Sequence, residues 1–144
     1  MGIAPENIRI HRKASSWEEA IRVAAKPLIV ANSITPAYVT SMIESVRRLG
    51  PYIVLMPGFA LAHAQPDVRS VRKNDISLAV FDYPVEFHSN KGPVYVVMCL
   101  ACTDHTSHIN RLQGVAEVLL DRERIVDDMR ACRDSKELSS LLRR

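Results

Sequence analysis

The stretch Val94–Ala101, VYVVMCLA, most constrains the fold, because it has the composition of a β-strand and no polar alternation along its length. A strand that is apolar on both faces needs a cover on both faces, so this stretch predicts a central strand. Tyr52–Met56 is a shorter apolar run that also predicts a buried strand. Asp75–Tyr83 predicts a third strand, which Pro84 is expected to end, and residues 7–13 alternate as a half-buried strand does.

Helix start signals and a 3.6-residue periodicity predict five helices. The capping box Ser16–Glu19 opens the first helix, in which Pro27 is expected to cause an interruption or a kink. Gly114 lies within a later helix and is expected to permit close packing there. The predicted helices span residues 17–31, 36–49, 106–120 and 122–131, with a terminal helix that begins at Ser135. Because helices and strands are interleaved, the pattern predicts a layered α/β fold in one domain.

The composition excludes several functional classes. With 144 residues, 47% hydrophobic and 24% charged, the chain is an ordinary globular one rather than a disordered one. A net charge of +3 on scattered Lys and Arg residues argues against nucleic-acid binding. The polar amino terminus is unlike a signal peptide, and no apolar run reaches the roughly 20 residues of a membrane span. With an odd count of three cysteines, these features predict a cytoplasmic protein with reduced thiols.

Two of the five histidines stand just beyond apolar strands. His63 follows the Pro57-Gly58 turn among small apolar residues, and His108 lies near the start of a later helix. In layered α/β folds, functional sites gather at the ends of central strands. His63 therefore admits three interpretations: a packed core histidine, a metal ligand with distant partners, or a reactive imidazole. The other three histidines lie in polar segments and are expected at the surface: His11, His88 and His105.

A metal site is one alternative. Cys99, Cys102, His105 and His108 form a C-x2-C-x2-H-x2-H series, and all four side chains are possible zinc ligands. The spacing is tighter than in the usual structural zinc pattern, in which a longer loop separates the ligand pairs. An offset of three residues along a strand also sends Cys99 and Cys102 to opposite faces. Two small buried thiols are the simpler interpretation.

Imidazole chemistry is the other alternative. The sequence contains no G-x-S-x-G serine elbow, and its five glycines form no nucleotide-binding loop. A neutral imidazole is nucleophilic at pH 7, since its unperturbed pKa is about 6.5, and it can attack phosphorus to form a phosphoramidate. The Pro57-Gly58 turn, His108 and a helix start would supply donors to the phosphoryl oxygens. Three alanines are expected to leave room for a donor beside His63: Ala60, Ala62 and Ala64.

These segments together resemble the enzyme IIA components of the bacterial sugar phosphotransferase system, of the mannitol–fructose type. Gly50–Pro66, GPYIVLMPGFALAHAQP, is most similar to the ascorbate-specific branch. The likeness continues through DISLAVF, VYVVMCLA, SHINRLQGVAEVLL and DDMRACRDSKEL, and it is clearer after residue 50 than before it. The resemblance implies a small mixed β-sheet flanked by helices on both sides, in a single domain over residues 1–144.

The resemblance also implies the roles of the two histidines. His63 would be the nucleophile that accepts a phosphoryl group from the phosphocarrier HPr and passes it to a cysteine of enzyme IIB, which in turn serves the membrane enzyme IIC. His108 would stabilise or orient the phosphate. No metal ion or organic cofactor is implied. The family usually has proline before the reactive histidine, whereas Ala62 stands here and is expected to leave the segment less restrained.

Two other functions stay open at the level of the sequence. A regulatory module of the same fold would signal through its phosphorylation state, since a phosphoryl group adds roughly two negative charges. A metal-binding protein would use the Cys-His series. The transported sugar does not follow from the sequence, and neither does the choice between a monomer and a homodimer.

Overall fold

A five-stranded mixed β-sheet organises the chain in the computed structural model, which describes residues 1–144. The strands are β1 (Ile8–Arg12), β2 (Val54–Met56), β3 (Gly58–Ala62), β4 (Asp75–Val85) and β5 (Val94–Ala101). Their order across the sheet is β1-β4-β5-β3-β2, so β5 is central, as its apolar sequence predicted. β5 runs parallel to β3 and antiparallel to β4, while β1 is parallel to β4 and β2 is antiparallel to β3.

Helices cover both faces of this sheet and bury two separate cores. The helices are α1 (Trp17–Val30), α2 (Pro36–Leu49), α3 (His105–Asp121), α4 (Ile125–Arg130) and α5 (Ser135–Arg143). The first core lies between the sheet and α1 and α2, and the second lies between the sheet and α3, α4 and α5. The α/β class and the mixed sheet flanked by helices on both sides are therefore confirmed. None of the helices combines the length and apolar character that a bilayer span requires.

Two prolines do not break the elements that contain them. Pro27 lies in the last turn of α1, where its missing N–H costs one hydrogen bond, and the helix continues to Val30. The expected interruption is wrong because buried residues around Pro27 hold that turn against the sheet. β4 likewise runs through Pro84 to Val85, beyond the last residue that pairs with β1. Proline is tolerated at such a position, since no neighbouring strand needs its N–H.

Two glycines differ in what they do. Gly58 has φ +87°, and a Cβ placed on it would lie 2.9 Å from the Cγ1 atom of Val126, so glycine is required by both backbone and space. Gly114 is exposed in α3, and a Cβ there would meet nothing within 4 Å. The expectation that Gly114 permits close packing is therefore wrong.

Parallel pairing of β3 and β5 decides where a site can form. The carboxyl ends of parallel strands lie at the same edge of a sheet, so the segments after Ala62 and after Ala101 leave the sheet side by side. His63 lies in the first of these segments, and the second leads through a short turn into α3. The hairpin between β2 and β3 returns the chain, so that residues just before β2 also reach this edge.

Candidate functional site

His63 and His108 meet at the shared carboxyl edge of β3 and β5. Their ring centroids are 5.3 Å apart, and the ring planes are tilted by 48°. His63 directly follows the end of β3, and His108 lies one turn inside α3. Sequence reasoning placed each histidine beyond an apolar strand but left their separation open. The fold brings the two imidazoles into contact.

The ring of His63 has one nitrogen engaged and one free. Its Nδ1 lies 2.8 Å from the carbonyl oxygen of Leu61, which can only accept a hydrogen bond, so Nδ1 carries the proton. Nε2 then holds the lone pair of the neutral ring. Burial lowers the pKa of His63 below its usual value, and the hydrogen bond to Leu61 opposes that shift. The imidazole is therefore a neutral base at pH 7.

His108 is more deeply buried. Asp104 caps the helix that carries it, and the Asp104 carboxylate accepts a hydrogen bond of 2.8 Å from the N–H of Ser107. The Nδ1 atom of His108 is buried and has no hydrogen-bond partner. Burial lowers the pKa of His108, and the neighbouring charges of His63 and His105 lower it further. This ring is also neutral at pH 7, chiefly because burial disfavours the charged form.

Tyr52 forms a third side of the site. Its ring meets the ring of His63 edge-on, with centroids 5.5 Å apart and an interplanar angle of 89°. Tyr52 precedes β2 and is 42% exposed, so one part of it packs against His63 while another faces solvent. Burial raises the pKa of Tyr52, whereas Ser45 and the charge of Arg48 oppose that rise. The sequence prediction placed Tyr52 in the strand and missed this role.

Tyr38 supports the same edge from the other face of the sheet. Its hydroxyl donates a hydrogen bond to the carbonyl oxygen of Leu100 at 2.7 Å and accepts one from the N–H of Ala64 at 3.1 Å. The side chain is fully buried, and this burial holds the pKa of the phenol well above its usual value. The sequence analysis included Tyr38 only as part of the predicted helix over residues 36–49.

Two expected features of the site are wrong. The three alanines of the segment point into the first core, against α1 and α2, and so do not line an approach to His63: Ala60, Ala62 and Ala64. They alternate with Phe59 and Leu61, which face the second core. The Pro57-Gly58 turn lies at the opposite end of β3 from His63, so it cannot donate to a group bound at that ring.

The Cys-His series does not converge. Cys99 belongs to the first core and Cys102 to the second, as the three-residue offset predicted. His105 is exposed, as are His11 and His88, so all three expected surface histidines are at the surface. No three residues of metal-binding type come close enough together to hold an ion. Burial raises the pKa of Cys99 to about 12, which keeps its thiol protonated.

Comparison with known proteins identifies the family. Residues 2–144 match the family model of the phosphoenolpyruvate-dependent sugar phosphotransferase system, EIIA 2. The ascorbate-specific PTS system EIIA component of Escherichia coli (strain K12) is 31% identical over 142 residues, which cover 96% of this chain and 90% of that protein.

Two solved structures are similar along nearly the whole chain. The mannitol-specific cryptic phosphotransferase enzyme IIA CmtB from Escherichia coli is 29% identical, with a TM-score of 0.84 over 97% of this chain and 94% of that one. Enzyme IIA for mannitol from Escherichia coli, in a complex with phosphorylated enzyme IIB, has a TM-score of 0.81 at 23% identity, over 98% of this chain and 96% of that one, and thus shares the fold. The chain therefore belongs to the EIIA 2 family of the phosphoenolpyruvate-dependent sugar phosphotransferase system, whose members are phosphotransferases that act through histidine.

Proposed function

We propose that His63 is the phosphoryl carrier of this chain, that phosphorylated HPr is the donor, and that a cysteine of enzyme IIB is the acceptor. The observation that carries this proposal is the hydrogen bond of 2.8 Å from Nδ1 of His63 to the carbonyl oxygen of Leu61. It leaves the lone pair on Nε2 of a neutral, half-buried ring, which is the state that a nucleophile needs.

In the accepting step, the lone pair of His63 Nε2 forms a bond to phosphorus. The P–N bond to the donor imidazole breaks, and its electron pair stays on the donor nitrogen. The ring of His63 then carries hydrogen on Nδ1, phosphorus on Nε2 and one positive charge. The carbonyl oxygen of Leu61 stabilises that charge through the hydrogen bond already formed.

In the donating step, the thiolate sulfur of an enzyme IIB cysteine attacks the same phosphorus atom. The P–Nε2 bond breaks, its electron pair returns to the ring, and His63 is again neutral with its proton on Nδ1. The ring needs no change of tautomer between the two steps, because Leu61 holds the same proton throughout.

His108 is the residue that orients the phosphoryl group. Its Nδ1 is buried without a partner, and an unpaired buried N–H is costly, so the proton of the neutral ring resides on Nε2. With the two rings 5.3 Å apart, that N–H can donate to an oxygen of a phosphoryl group on His63.

The surface around the rings suits contact with other proteins. Tyr52 and Ile109 are 42% and 53% exposed, and they flank His63 and His108 respectively. Large exposed apolar side chains beside a reactive group are typical of protein interfaces. HPr and enzyme IIB would use this surface in turn, and enzyme IIB would serve a membrane enzyme IIC. Similarity to the ascorbate-specific component favours ascorbate or a related sugar acid as the transported compound.

The proposal is tested by incubating the protein with enzyme I, HPr and phosphoenolpyruvate, and by measuring its intact mass. We expect a gain of one acid-labile phosphate in the wild type and none in His63→Ala. His88→Asn is the matched control, because His88 is exposed, lies between β4 and β5 and has φ +61°, which asparagine tolerates. A phosphate gained by His63→Ala would refute the assignment.

Phosphate transfer from this protein to enzyme IIB distinguishes a role in transport from a regulatory role. Phosphorylated protein is mixed with enzyme IIB of the ascorbate system and, in parallel, with enzyme IIB of the mannitol system. Faster loss of phosphate to the ascorbate enzyme supports the proposed substrate class. A stable phosphoprotein that discharges to neither would favour the regulatory module instead.

A further inference from the structure

We propose that Tyr38 is a positioning residue for His63: its buried hydroxyl joins the two strand ends that carry the site and fixes the backbone that presents Nε2. The inference rests on the proposed function of His63 as the phosphoryl carrier. Tyr38 does not touch the reacting atoms. It acts through the main chain on either side of them.

The two hydrogen bonds of the Tyr38 hydroxyl form a bridge between the segment that follows β3 and the end of β5, and this bridge lies where direct pairing of the two strands ends. The last paired residues of β3 and β5 are Ala62 and Cys99. One step further on, the N–H of Ala64 and the carbonyl of Leu100 do not bond to each other. Instead the Tyr38 hydroxyl lies between them, accepting from the first at 3.1 Å and donating to the second at 2.7 Å. A single oxygen atom thus continues the ladder across a gap that the separating strands open.

Both hydrogen bonds are shielded from solvent. Tyr38 is fully buried on α2, which begins at Pro36, and no solvent competes for its hydroxyl. Burial raises the pKa of the phenol, so at neutral pH the group is protonated and retains both its donor and its acceptor. Removing the hydroxyl leaves a buried N–H and a buried carbonyl without partners.

His63 lies between two anchored neighbours. On one side, the N–H of Leu61 donates to the carbonyl of Ile53 at 2.8 Å, while the carbonyl of Leu61 accepts the ring proton. On the other side, Ala64 is held by Tyr38. The second anchor is a side chain rather than the main chain, so it depends on Tyr38 alone. A loss of about 1 Å in the placement of a reacting atom can lower a rate by about 100-fold.

The same hydroxyl also touches the strand that leads to His108. Leu100 is the next-to-last residue of β5, and α3 follows after a short turn. By bonding to both Ala64 and Leu100, Tyr38 sets the separation of the two segments from which the two rings project. The contact of 5.3 Å between the ring centroids therefore depends on a group on the opposite face of the sheet.

The test is Tyr38→Phe in the full chain, since phenylalanine keeps the ring and removes only the hydroxyl. We expect single-turnover acceptance of phosphate from phosphorylated HPr to slow by about 10- to 100-fold. The KM for HPr should be unchanged, because Tyr38 is buried and cannot touch the donor. Ser139→Ala is the matched control. Ser139 lies on α5, away from the site, and its buried hydroxyl donates to the carbonyl of Ile3 at 2.6 Å.

Both variants should lower the urea midpoint, and only Tyr38→Phe should slow transfer. Equal rates in Tyr38→Phe and Ser139→Ala would overturn the inference. A readout that does not depend on transfer is the 15N spectrum of the imidazole rings. We expect the Nδ1–H tautomer of His63 to be nearly pure in the wild type and mixed with the other tautomer in Tyr38→Phe.

If the tautomer of His63 is the same in Tyr38→Phe as in the wild type, the positioning role is refuted. This readout does not require His63 to carry phosphate, so it can fail independently of the proposed function. If Tyr38→Phe does not fold, amide exchange in the wild type decides the matter. The N–H of Ala64 should be protected like those of β3, although it lies outside that strand. Exchange as fast as that of exposed Val68 would contradict the bridge.

Discussion

The imidazole of His63 donates its Nδ1 proton to the carbonyl oxygen of Leu61, two residues earlier in the chain, at 2.8 Å. A histidine bound to its own strand in this way cannot rotate without losing the bond. The relation sets the tautomer, the ring orientation and the identity of the free nitrogen together. Burial lowers the pKa of the ring, and the bond to Leu61 leaves the lone pair of the neutral ring on Nε2.

The first prediction concerns stability against pH. The pKa values of His63 and His108 are lowered in the folded chain relative to 6.5, so the unfolded chain binds protons first as the pH falls. Stability should therefore be complete above about pH 7 and should decline as the pH drops below about 6.5. Urea midpoints at pH 7.5 and pH 5.5 measure the decline. The double variant His63→Gln, His108→Gln should show a smaller decline, and an equal one would contradict the assignment.

The second prediction concerns His108 after phosphorylation. A phosphoryl group on His63 brings roughly two negative charges next to His108, which favours the protonated ring. We expect the pKa of His108 to rise on phosphorylation, in the opposite direction to the shift in the free protein. Titration of the histidine side-chain resonances by NMR in both states measures this change. His88 is exposed and should not respond, and a constant pKa at His108 would show that its ring does not face the phosphate.

The third prediction separates the ring of Tyr52 from its hydroxyl. The edge-on contact with His63 belongs to the ring, so Tyr52→Phe should transfer phosphate at about the wild-type rate. Tyr52→Ala removes a contact of a kind worth about 0.5–1.5 kcal/mol, and we expect transfer to slow by roughly 2- to 10-fold. Single-turnover rates from phosphorylated HPr measure both. Slow phosphate transfer in Tyr52→Phe would instead assign a role to the Tyr52 hydroxyl.

The fourth prediction uses two glycines as a pair. Gly58→Ala should destabilise the protein by about 1–3 kcal/mol, because its φ of +87° is unfavourable for alanine and the Cβ would meet Val126. Gly114→Ala should stabilise it by about 0.5–1 kcal/mol, since the position is helical and open. Urea denaturation measures both changes in the free energy of unfolding. Shifts of the same sign would show that these local differences do not control stability.

Much of the fold could be predicted from local pattern. The uninterrupted apolar run at 94–101 predicted a central strand, and the helix predicted over residues 36–49 has the bounds of α2. The expectations that Pro27 would interrupt α1 and that Pro84 would end β4 were wrong. Proline is a strong local signal for a break, but its energetic cost depends on whether a neighbouring strand or turn needs the missing N–H. That need is set by tertiary structure.

The site was only partly predictable. That His63 and His108 would meet depends on parallel pairing between β3 and β5, which are separated in sequence by β4. The alanines around His63 could have been placed correctly: in a strand, even and odd positions face opposite sides, so residues next to His63 in sequence cannot share its face. Tyr38 could not have been found, because a tyrosine on an apolar helix face gives no sign of what its hydroxyl reaches.

The sheet separates Tyr38, which holds the backbone next to His63, from the residues of α3 that lie beside the His63 ring. Tyr38 reaches Ala64 from the layer of α1 and α2, whereas His108 and Ile109 come from the layer of α3. Surface positions at the start of α3 can therefore diversify without disturbing the backbone that carries His63.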